Sequence, residues 1–252
     1  MSNPQWRKNA LERVRETKAK ITSLMREIES DLAEVRSLRD PMLSAEGLRA
    51  KRAEMQEQLR AKHAHAIEAL KEDLAFDVET LTDFVDKTRP RVAEDAASLM
   101  RVQMRWDQVR MRLEAGAPIT KVIAEAGVEE LLALREWAPT WVSAQSESSR
   151  PRGVDGHEFE GPDPSGLLRT IDERLAEESG GEYAEGFTAA REAEGVAAYA
   201  APMLAHLGVL AAGGKSDAMY AAIEARLAQQ EVSAPLETAA DAAYADTDGD
   251  AA

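Results

Sequence analysis

Apolar residues recur at three- and four-residue steps near the amino end: Leu11, Val14, Ile21, Met25, Ile28, Leu32 and Val35, with Lys18 interrupting the series. Residues spaced this way share one face of a helix, so the seam predicts a helix that lies along another helix. Asn3 as N-cap and Pro4 at the first helical position predict its start. Asp40-Pro41 predicts its end near Arg39, because proline disfavours helical backbone in the residue before it. The same pair is expected to cap a second helix over 41–88, with Leu48, Met55, Leu59, Ile67, Leu70, Leu74, Val78, Leu81 and Val85 inward. A third helix is predicted over 91–115, its inner side Val92, Ala96, Leu99, Val102, Trp106, Val109 and Leu113. Gly116-Ala117-Pro118 stops it.

Short helices are expected at 119–126 and 129–138, closed by Gly127 and Pro139. The Ser/Pro/Gly/acid stretch from 144 to 164 reads as a flexible linker. Asp163-Pro164 predicts a further helix start, with Leu167, Leu168, Ile171 and Leu175 inward and Gly180-Gly181 as its stop. Ala-rich helices are predicted at 184–201, 202–212 and 216–230. Beyond about 232 the chain offers almost nothing to bury, which predicts a disordered acidic tail over 232–252. No stretch alternates as a half-buried strand would. The fold expected is therefore all-α: an elongated coiled-coil-like helical bundle over 1–143, then the linker, a small acidic helical unit over 165–231 and the tail.

With Leu11 at heptad position a, Leu24 and Leu38 fall at g, and only Asp31 with Arg36 makes a good g–e′ pair. That wide face suits an antiparallel bundle better than a two-stranded zipper. Folding back at Asp40-Pro41 would set Leu32 against Leu48, Met25 against Met55, Ile21 against Leu59 and Leu11 against Leu70. The same register sets Lys18 against Lys62 and Ile28 against Arg52, two poor matches.

Charge divides the chain. The net charge of −15 resides entirely in residues 153–252; residues 1–152 are balanced, with 26 basic and 26 acidic side chains. The acidic part would repel nucleic acid and anionic membrane. The absence of cysteine removes disulfides, thiolate metal sites and a cysteine nucleophile. Val196 to Ala212 is the most apolar run, but Pro202, His206 and Gly208 interrupt it, so a membrane span is not expected. Arg outnumbers Lys 22 to 9, a balance typical of a GC-rich bacterial genome or its phage.

Chemical motifs do not assemble. His63 and His65 are two apart and point away from each other on a helix, so they read as separate surface or boundary residues. His157-Glu158 lacks the second histidine of a zinc helix, and His206 stands alone. Gly213-Gly214-Lys215-Ser216 follows a helix rather than a strand and lacks the leading glycine of a phosphate loop; it reads as a helix stop with Ser216 as the next N-cap. Asp246, Asp248 and Asp250 lack the remaining ligands of a calcium loop. Ile119 to Trp137 has a helix-turn-helix look, yet Glu129, Glu130 and Glu136 outweigh Arg135 on the would-be recognition helix. No catalytic, cofactor-binding or metal residue is assigned, and no cofactor is expected.

The function expected is a non-enzymatic structural or interaction protein that self-associates or docks a protein partner. Its candidate interaction residues are Leu11, Val14, Ile21, Met25, Ile28, Leu32, Val35, Trp137 and Trp141. The alternative is a nucleic-acid-associated protein that touches phosphates through Arg7, Lys8, Arg13 and Arg15 at the basic start. Helical, acidic and self-associating in outlook, the chain is similar in overall character to phage capsid-assembly scaffolds, a likeness of composition that carries over no residue and lacks their short basic C-terminal helix. It implies a cytoplasmic protein of a bacterial or phage-infected cell, with the virion as a further location.

Overall fold

The structure, a computed structural model, describes residues 4–148, 164–214 and 216–233. Among these residues it has eight α-helices and no strand: α1 Pro4–Ser37, α2 Ala45–Thr88, α3 Ala96–Glu114, α4 Ile119–Glu125, α5 Val128–Ser148, α6 Pro164–Ser179, α7 Gly181–Ala211 and α8 Ala218–Ser233. The chain is all-α, as the periodicity predicts. Of the linker expected over 144–164, residues 144–148 and 164 are helical instead, because α5 continues to Ser148 and α6 begins at Pro164; 149–163 lie outside the described residues, as does the expected tail beyond Ser233, where α8 ends.

The helix ends show where caps compete. Asp40 does not cap α2. Its Oδ1 accepts a hydrogen bond from the Met42 amide at 2.9 Å, closing a turn, and Pro41 sits within that turn. Ser44 caps α2 instead, its Oγ accepting from the Gly47 amide at 3.1 Å. Helix α3 likewise begins at Ala96 rather than 91, because the Asp95 carboxylate accepts from the Ser98 amide at 2.9 Å. At α8 the cap is Asp217, whose Oδ1 accepts from the Met219 amide at 2.9 Å, and not Ser216, which lies 2.6 Å from His206 Nδ1.

Two prolines fail to break their helices. Helix α5 runs through Pro139 to Ser148, and α7 runs through Pro202 as one helix of 31 residues, where two were expected. Each ring removes one amide donor, but the buried stripe continues on both sides. Leu134, Ala138 and Val142 line it on α5, and Ala200, Met203, Leu204 and Leu207 on α7. Continuous burial therefore outweighs the lost hydrogen bond. By length and composition α7 could cross a membrane, and 44% of its most apolar window is buried inside the chain.

The chain forms two compact units that are interleaved in sequence. One holds α1, α2 as far as Lys87, α7 from Thr188 and α8; the other holds α3 to α6 with the start of α7. Neither unit changes at the boundary expected near 144.

In the first unit α1 and α2 run antiparallel. The Lys62 ammonium lies 2.7 Å from Glu27 and 3.0 Å from Asp31, Arg52 donates to the Leu38 carbonyl at 2.7 Å, and Arg13 grips Asp77. The predicted register is wrong. Asp31 meets His63, and Lys62 meets two carboxylates instead of Lys18. The first turns of α2 overhang α1, and the shift removes both poor matches of the fold-back pairing.

In the second unit Trp106 of α3 and Trp137 of α5 stack tilted by 32° at 6.1 Å between centroids. Arg135 Nε donates to Asp172 on α6 at 2.7 Å. Arg112 of α3 pairs with Glu125 of α4. The α4–α5 corner is closed by Glu130, which accepts from the Gly127 amide at 3.2 Å, while Glu129 pairs with Arg105 of α3. The would-be recognition helix thus directs its first carboxylates into the unit's own packing.

Candidate functional site

The candidate interaction residues of α1 divide by burial. Val14, Ile21, Ile28, Leu32 and Val35 are buried in the chain, and Leu11 and Met25 are half-buried. Their apolar surface is used in the fold, which leaves little of the seam for a partner. Trp137 is half-buried against Trp106, and Trp141 is also half-buried.

The basic residues of α1 are similarly engaged. Arg13 holds Asp77 through Nε and Nη2, and Arg15 makes a two-pronged pair with Glu192 at 2.6 and 2.7 Å. The Arg15 hydrogen bond holds the Glu192 carboxyl below its usual range against the opposing effect of burial. Arg7 lies 5.0 Å over the Phe84 ring. Lys8 is exposed.

His63 corrects the sequence reading. It is not a surface residue but 1% exposed, with Nε2 2.9 Å from Asp31, whereas His65 is exposed as expected. Glu27, Asp31 and His63 are the group among the described residues whose donor atoms, within 4.8 Å of one another, could hold a metal ion. Lys62 already places its ammonium between the two carboxylates. Burial pushes the Asp31 carboxyl upward, but hydrogen bonds from Lys62 and His63 outweigh it and hold the carboxyl below its usual range.

The surface that periodicity alone did not single out lies on α3. Met100, Met104 and Met111 are 66%, 58% and 59% exposed. At 100° per residue they fall within about 40° of one another and opposite the buried Val102, Trp106, Val109 and Leu113. Helix α3 therefore carries two apolar faces, only one of which the fold uses. A shorter stripe of the same kind, Met219, Tyr220, Ile223 and Leu227, is exposed on α8 opposite the buried Ala221 and Ala225. The signal was present in the sequence as methionines out of phase with the inward series.

No protein-family model matches the chain, and neither a curated protein nor a solved structure matches it.

Proposed function

We propose that the chain is a non-enzymatic interaction protein that docks a second copy of itself or another protein through the methionine face of α3. The observation that carries this reading is that face: three methionines aligned in solvent, with the opposite side of the same helix fully committed to the core. Methionine is flexible and polarisable, so a stripe of it adapts to a partner's contours. Aligned exposed apolar side chains mark interaction sites more often than chance scatter does. A role in bacterial or phage assembly is the finer form of this proposal, supported by the helical, acidic composition.

Light scattering across protein concentration tests it, with Met100→Glu/Met104→Glu as the variant. Both positions face solvent, so helicity should be retained. Mass should rise with concentration in the wild type and stay at one chain in the variant. One-chain mass for the wild type at every concentration would remove self-association. Equal assembly of both proteins would remove the α3 face.

A further inference from the structure

Lys18 is the residue that the apolar seam of α1 does not explain. It stands where Val14 and Ile21 on either side are buried, yet its side chain ends in an ammonium. Local departures from a consistent hydrophobic pattern tend to fall at functional positions. The structure places Lys18 on the wall of a cavity of about 320 Å³ within the first unit, between α1, α7 and α8. Arg15, Arg191, Glu192 and Gln229 also line it.

The charges there do not balance. Arg15 is neutralised by Glu192. Arg191 has a longer pair with the half-exposed Glu194 at 3.4 Å. The Lys18 ammonium donates to the neutral Gln229 Oε1 at 3.0 Å and lies 4.5 Å over the Tyr199 ring. Neither neighbour carries a negative charge. Because Gln229 Oε1 accepts from Lys18, its amide nitrogen remains to donate. The cavity thus gathers an ammonium, a guanidinium and an amide as donors beside the Glu192 carboxylate that Arg15 holds; with Arg191 paired to Glu194, the surplus is the single positive charge of Lys18.

We propose that this cavity is a binding site for a small phosphate-type anion, with Lys18 and Arg191 as the charged anchors and Gln229 as a neutral donor. The oxygens of phosphate accept from every one of these groups, and its charge offsets the surplus. The volume admits phosphate or a small phosphate monoester. This site is independent of the α3 face and of the docking role proposed above.

The test is a titration of the full chain with inorganic phosphate at constant ionic strength, read by amide chemical shifts and by melting temperature. Sodium chloride at matched ionic strength is the control. Lys18→Met is the informative variant, because a methionine restores the apolar seam and should fold at least as stably as the wild type. Saturable shifts at residues lining the cavity, a rise in melting temperature with phosphate but not chloride, and at least tenfold weaker binding in Lys18→Met support the proposal. Arg191→Met should weaken binding too. Equal responses to phosphate and chloride would reduce the effect to screening and overturn the site. Unchanged phosphate binding in Lys18→Met would do the same. So would a response to single-stranded DNA with none to phosphate, which would point to an extended polyanion surface.

Discussion

Arg13 on α1 holds the carboxylate of Asp77 on α2 through two adjacent donors of its guanidinium, Nε and Nη2. Asp77 is almost fully buried, whereas about half of the Arg13 side chain is exposed. The pair sets the register of the two helices, since a charge buried at Asp77 has to meet a cation. Arg13→Met strands that carboxylate and should destabilise the protein by about 2 kcal/mol, below the range for a fully buried pair because water screens the exposed guanidinium. Arg13→Met/Asp77→Leu should recover most of the loss, because no unpaired charge remains. Urea denaturation of the two single variants and the double variant measures this. Additive losses would mean that the two side chains are not coupled.

Asp31 should make stability depend on pH on the acid side. Lys62 and His63 hold its carboxyl lower in the folded chain than in the unfolded one, so the unfolded state takes up the proton first as pH falls. The contribution is complete above the unfolded value of about 3.9 and is lost as pH falls through the folded value. Asp31→Asn lacks it. The wild type should therefore be the more stable at neutral pH, and the gap should close on acidification. Parallel stability curves for the two proteins between about pH 6 and pH 2 would show that Asp31 is not held this way.

The class of fold was legible because burial repeats at helical spacing, and Val14, Ile21, Ile28, Leu32 and Val35 proved to be inward positions. Register was not, because apolar side chains pair tolerantly and several alignments bury similar surface. Charged residues discriminate more sharply. The pairing of Lys18 with Lys62 and of Ile28 with Arg52 was the sign that the first alignment was out of register. Polar residues on inward faces, His63 and Asp77, were hidden because a partner far along the chain makes them tolerable, and spacing cannot reveal that partner. The methionine face of α3 was present in the sequence, but a search for one inward series per helix does not single out apolar residues on the opposite side.

Pro139 and Pro202 sit inside continuous helices, where each deprives a carbonyl of its donor. Replacing either with alanine restores that donor and removes the ring's clash with the preceding turn. Pro139→Ala and Pro202→Ala should each raise unfolding free energy, by up to about 3 kcal/mol. Denaturant midpoints check this. A lowered midpoint would mean that the rings, half-buried in both helices, contribute more by packing than the missing bond removes.

Oxidation offers a map of the proposed docking face that needs no mutation. Peroxide converts accessible methionine to the sulfoxide, so rates should follow exposure. In dilute protein Met42, Met100, Met104, Met111 and Met219 should react before the buried Met203. If a second copy covers α3, raising protein concentration should slow Met100, Met104 and Met111 together while Met42, in the turn before α2, keeps its rate. Peptide mass spectrometry resolves the residues. Slowing of Met219 alone would move the interface to the α8 stripe, and rates unchanged at a concentration where mass has risen would place it on neither helix.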